Sequence, residues 1–176
     1  MIARPVQGTY APYFEPYINL VGTNNPIRVL ESLVLGFKAL LSEIPEEKEE
    51  FRYAEGKWTV KEVIGHMIDT ERIMTCRALC VARGEKQELP RFDENDYVVK
   101  ANFNRRSLLD LGHEFGFVRE ATITFFKSLT EEDLDRTGIA NKHQVTPRAL
   151  LYIIAGHHLH HDSMLKEKYL MDVMEA

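Results

Sequence analysis

The chain has 176 residues, 44% of them hydrophobic and 28% charged, with 10 Gly, 7 Pro and 2 Cys. This is enough for one domain with its own core, and the composition excludes collagen-like, low-complexity and disulfide-scaffold chains. No apolar run is long enough for a spanning helix, and a formal net charge of -5 argues against nucleic acid as a partner, because such a surface repels phosphate backbones.

The expected organisation is a single domain over residues 1–176. The start, Met1-Ile2-Ala3-Arg4-Pro5, lacks the apolar core of a secretory signal, so the cytoplasm is the expected compartment. Residues 1–25 carry Pro5, Pro12 and Pro16 among Tyr10, Tyr13, Phe14 and Tyr17, and read as an irregular aromatic segment packed on the domain. A first helix opens at Pro26 behind the cap Asn25; Leu30, Leu33, Val34, Phe37, Leu40, Leu41 and Ile44 form its apolar stripe, and Pro45 ends it. A second helix begins at the capping box Thr59/Glu62, with Trp58 placed to staple onto Val63, and runs to about Arg83 before Gly84. Cys76 and Cys80 within it read as small core residues with free thiols.

A connection of roughly twenty residues follows, Gly84 to Arg106, and is read as a crossover between parallel neighbouring helices. Ser107 caps a third helix with Leu108, Leu111, Phe115, Val118, Thr122, Phe125 and Leu129 on its buried face. Thr130 caps a short acidic turn, and a polar loop begins at Gly138. Thr146 and Pro147 open a last helix that reaches about Leu170. No strand pattern stands out, so the expected fold is all-α: a four-helix bundle with one long crossover between the second and third helices.

Seven histidines are present, four of them in Gly156-His157-His158-Leu159-His160-His161-Asp162. With Leu150, Ile153, Ile154, Met164 and Leu165 defining the buried face of the last helix, His157 and His161 fall near its centre, one turn apart, and His158 and His160 fall to the flanks. An i,i+4 pair of imidazoles can share one metal ion; the alternative is two core histidines hydrogen-bonded to backbone or carboxylates. Bundle sites draw ligands from facing helices, and His66 on the second helix is the candidate third ligand. Asp69, three residues on, reads as a partner for a ligand, a general base, or a plain surface carboxylate. Glu71 falls among apolar positions and is expected to pair with a buried arginine, while His113 and His143 read as solvated. Arg91, Asp93 and Arg105 near the crossover ends could line a pocket above the ion.

The run Glu55-Gly56-Lys57-Trp58-Thr59-Val60-Lys61-Glu62-Val63-Ile64-Gly65-His66, continuing through Asp69, Glu71 and Arg72, resembles the second-helix signature of DinB-like proteins of the YfiT type. Leu89-Pro90-Arg91-Phe92-Asp93-Glu94, Thr146-Pro147-Arg148-Ala149-Leu150 and the histidine cluster are similar to the same family, as is the N-terminal Tyr10-Ala11-Pro12-Tyr13-Phe14. The resemblance implies an up-down-down-up bundle and one divalent metal ion, nickel or zinc, on three histidines, which by motif are His66, His157 and His161. Many members carry a glutamine three residues after the last histidine; Met164 stands there in this chain, so no role of that glutamine carries over. The resemblance also implies an enzyme that transfers a small-molecule thiol of the bacillithiol or mycothiol type to an electrophile. A metal-dependent hydrolase and a non-catalytic metal-binding module are the competing readings. A homodimer is the oligomeric state the family suggests.

Overall fold

A computed structural model of the chain describes residues 2–170. Seven α-helices are present among them: α1 (Glu15–Val21), α2 (Pro26–Glu43), α3 (Val60–Ala82), α4 (Glu94–Ala101), α5 (Leu108–Lys127), α6 (Glu131–Asp135) and α7 (Pro147–Met164). The long ones, α2, α3, α5 and α7, form the bundle. Side-chain caps fix their starts: Asn25 accepts from Ile27 N–H, Thr59 from Glu62 N–H, Ser107 from Asp110 N–H and Thr146 from Ala149 N–H. Glu62 reaches back to the Thr59 N–H at 2.8 Å, which completes the capping box.

The pairs across the interfaces give the directions. Glu71 meets Arg119 and Thr75 meets Thr122, so α3 and α5 run parallel. Glu31 meets Lys127 and Phe37 meets Phe115, so α2 and α5 run antiparallel. His66 faces His157 and His161 while Met74 lies against the earlier residues Ile153 and Ile154, so α3 and α7 are antiparallel. The course is therefore up-down-down-up, and the parallel α3–α5 pair is what requires a long crossover.

Four features depart from the sequence reading. The N-terminal segment is not wholly irregular, because α1 forms within it: Pro16 sits in the first turn, where a missing N–H costs no helical bond. Ile18 and Val21 bury this helix on α7, and the backbone carbonyl of Tyr17 lies 1.9 Å from where a Cβ on Gly156 would stand. The crossover also contains a helix, α4, capped by Asp93 at its start and ended by Asn102 in the left-handed region. Phe103, just beyond it, packs its ring on Gly65 of α3. The polar loop after Gly138 is a hairpin of two short strands, β1 (Gly138–Ala140) and β2 (His143–Val145), turned by Asn141 and Lys142, both at positive φ. Leu89 N–H donates to the Ile139 carbonyl at 2.9 Å, which ties the crossover to this hairpin. Finally, Cys76 is exposed and Cys80 half-buried. The inner face of α3 runs through Met67, Thr70, Met74, Ala78 and Val81, and Cys76 lies on its outer side.

The core has two apolar parts. One gathers Leu30, Met74, Val81, Phe126 and Leu150 towards one end, and the other gathers Phe37, Ile64, Leu111, Phe115 and Leu165 towards the opposite end. Between them, at mid-height, lies a layer of buried polar side chains: His66, Thr70, Glu71, Arg119, His157, His158 and His161. Such groups are costly to bury unless each finds a partner, so this layer is where function is to be sought.

Candidate metal centre

Three helical turns bring the imidazoles of His66, His157 and His161 together. His157 Nε2 lies 3.0 Å from His66 Nε2 and 3.0 Å from His161 Nε2. One ligand nitrogen from each lies within 4.8 Å of the others, and all three residues are buried. Burial pushes His66 down to about 4, with the nearby His160 adding to the effect. Desolvation lowers His157 and His161 well below the ordinary histidine value, and the neighbouring imidazoles lower both further. All three rings are therefore neutral at pH 7, the state a metal requires.

The donor set fits a divalent ion better than it fits hydrogen bonds. A ring nitrogen carries either one proton or one lone pair, so His157 Nε2 cannot satisfy both neighbours at once. An ion accepts all three lone pairs. At Zn–N distances of about 2.0–2.1 Å, tetrahedral geometry needs nitrogens roughly 3.3 Å apart, a small spread from the distances here. His66 Nδ1 faces the Thr70 hydroxyl at 3.4 Å, a partner that can hold its tautomer. His161 Nδ1 is buried without a partner among the described residues.

The triad forms the floor of a chamber of about 500 Å³. Trp58 lies over His66 with ring centroids 4.6 Å apart, and Tyr17 meets His157 edge-on at 5.5 Å. Phe14, Met74, Arg77, Phe92, Glu94 and Asn141 contribute further wall. Arg91, expected at a pocket, lines the chamber, whereas Asp93 serves as the cap of α4 and Arg105 is exposed outside it.

Asp69 is not part of the chamber wall. The charges that act on it are Arg72, Glu114 and Arg106, burial raises its pKa, and the residue facing His66 is Thr70. His158 lies to the side of the triad and is buried there, against Arg119 of α5 and Phe37 of α2. Arg119 donates from Nη2 to His158 Nδ1 at 3.1 Å, and the same guanidinium grips Glu71 through Nε at 2.9 Å and Nη2 at 2.7 Å. Glu71 is thus paired with a buried arginine, as its apolar surroundings require. His160 is exposed, as are His113 and His143. Thr70 and Arg77 escaped the sequence reading, although one turn and three turns from His66 place both on its side of α3.

A family model of the DinB superfamily matches residues 36–165, and the chain belongs to that superfamily. No functionally curated protein matches. Among solved structures, the fold is similar to YfiT from Bacillus subtilis, described as a probable metal-dependent hydrolase with an unusual four-helix bundle topology (TM-score 0.74, 15% identity, 98% of this chain and 92% of that one). It is also similar to a mycothiol-dependent maleylpyruvate isomerase (0.64, 12%), covering 78% of this chain but 58% of the other. A third, the DinB-like YjoA of Bacillus subtilis, gives 0.59 at 23% identity over 86% of this chain and 91% of that one.

Proposed function

We propose that this chain is a metal-dependent enzyme that holds one divalent ion, nickel or zinc, on His66, His157 and His161 and joins a small-molecule thiol to an electrophile. The observation that carries the reading is the meeting of three neutral Nε2 atoms at the floor of a chamber large enough for a substrate. Among the described residues no fourth His, Cys, Asp or Glu closes the group, and three protein ligands with an open position are the pattern of catalytic rather than structural sites. A divalent ion bound there would supply Lewis acidity, lowering the pKa of a thiol or a water molecule in the open position.

The protein's own contribution is to position and shield. Thr70 accepts the Nδ1 proton of His66 and keeps Nε2 free for the ion. Trp58 and Tyr17 cover two of the three ligand rings and limit water around them. The aromatic wall gives an organic substrate apolar surface beside the reacting position.

The mycothiol-dependent neighbour supports thiol chemistry, and the description of YfiT supports hydrolysis as the second reading. The test is elemental analysis of protein purified without a metal-affinity tag, followed by assays of thiol loss with an alkylating electrophile. Bacillithiol, mycothiol, glutathione and cysteine form the panel. The expected result is about one ion per chain and thiol consumption that chelation stops. Metal binding without thiol consumption would favour hydrolysis or a non-catalytic role, and absence of metal would remove the enzyme reading.

A further inference from the structure

Among the described residues, Arg77 is a buried cation without an anionic partner. It is 8% exposed, yet no carboxylate among the described residues pairs with it. Its Nη2 donates to the Pro90 carbonyl at 2.5 Å, its Nη1 meets only the Met74 sulfur at 3.7 Å, and its Cζ stands 5.5 Å from the Phe92 ring centroid. A guanidinium has five N–H donors, and burying the charge is unfavourable unless an anion compensates it. The other buried arginines follow that rule: Arg119 pairs with Glu71, and Arg148 with Glu131 and Asp135. Arg77 differs from them in lining the chamber above the histidine triad.

We infer that Arg77 is the binding site for a carboxylate on the substrate, at the end of the chamber away from the triad. The inference rests on the proposed function only for the identity of the group at the other end. At the end away from the triad, the side-chain charges favour a monoanion. Arg77 and Arg91 face Glu94, which leaves one net positive charge there, apart from any ion at the triad, and Arg91 is exposed at the rim near Asp93. A dianionic phosphate would find too little compensation, whereas a flat carboxylate matches the guanidinium fork. The pair also sets a length. Eleven residues separate His66 from Arg77, about 16 Å along the helix axis, and the arginine side chain leans back towards the helix N-terminus and shortens that span. The substrate is therefore an extended molecule with its reacting group at the triad and its carboxylate several bonds away.

The probes are 6-mercaptohexanoate and its neutral amide, titrated into zinc-loaded protein. Binding is read from the fluorescence of Trp58, the single tryptophan and a wall residue of the chamber, and checked by calorimetry. The acid is expected to bind roughly tenfold tighter than the amide. R77Q, which keeps a donor for the Pro90 carbonyl, should bring acid and amide within about twofold of one another, and R77K should retain most of the preference. Equal binding of acid and amide by the unaltered protein overturns the assignment and requires no variant to fold. An undiminished preference in R77Q also overturns it, and inorganic phosphate competing better than hexanoate overturns the choice of carboxylate. Hexanoate and hexanamide titrated into metal-free protein separate the two readings. An Arg77-dependent preference there, with no zinc-dependent thiol binding, sinks the thiol reading alone. Zinc-dependent thiol binding without an acid preference sinks the carboxylate site alone.

Discussion

The two buried polar groupings at mid-height call for different substitutions. On the proposed reading, His66→Ala, His157→Ala and His161→Ala should each strip most of the metal, measured as ions per folded chain, because each removes one of three proposed ligands. His160→Ala should leave metal content near the parent's, since that ring is exposed. His158→Ala separates metal from stability. It should keep the metal but lower unfolding free energy by roughly 2 kcal/mol, because it opens a cavity beside Phe37 and leaves a donor of Arg119 without its acceptor. Arg119→Met should cost more, about 3–5 kcal/mol in denaturant unfolding, because it strands the Glu71 carboxylate in a site where both side chains are almost wholly buried. Loss of metal in His158→Ala with retention in His157→Ala would mean that the ligand rings are assigned the wrong way round.

At the level of elements, the interlock of α1 with α7 is the contact most exposed to a single methyl group. Gly156→Ala would place its Cβ against the Tyr17 carbonyl, an immovable backbone atom, so α1 must shift off α7. Destabilisation of at least 1–3 kcal/mol is expected, with a change in Trp58 fluorescence as Tyr17 leaves the chamber wall. Unaltered stability would show that α1 is not seated as described. The bundle helices were legible because each carries a cap and a sustained apolar stripe. The His157/His161 pair was legible because one turn of α-helix leaves little freedom in where two rings point. The depth of burial of His158 was not, because α7 is covered by α1, α2 and α3 and is buried continuously from Pro147 to His158, so a single stripe understates its surroundings. The smaller elements escaped for local reasons. Pro16 read as a breaker when it was a starter, α4 is only 8 residues long, and the hairpin turns on Asn and Lys rather than glycine. The chamber depends on long-range placement of the crossover against α1, and no periodicity reports that.

At the scale of the molecule, the buried histidines make stability depend on pH. His66 has its pKa depressed to about 4 in the folded chain, against an ordinary value of 6.5, so between those values the unfolded chain binds the proton that the folded chain refuses. Its contribution is complete above about pH 6.5 and is lost as pH falls towards 4; His157, His158 and His161 are shifted the same way. Metal-free protein should therefore melt at progressively lower temperature below pH 6.5, and zinc should raise the melting temperature at pH 7.5 far more than at pH 5. A flat profile between pH 7.5 and 5 would mean that the rings are not sealed from water. The three histidine rings project from the bundle itself, whereas much of the chamber wall comes from the N-terminal segment with α1, the crossover and the hairpin turn, pieces laid over the bundle from outside. On the proposed reading, the ion and the Arg77 anchor belong to the bundle, whereas much of the remaining shape of the chamber is written on separate stretches of the chain. If the proposed chemistry holds, drift in the overlying pieces would redirect it to new molecules while the scaffold keeps the three histidines, and a crossover transplanted from one relative to another should carry its preference for shape with it, but not the carboxylate preference of Arg77.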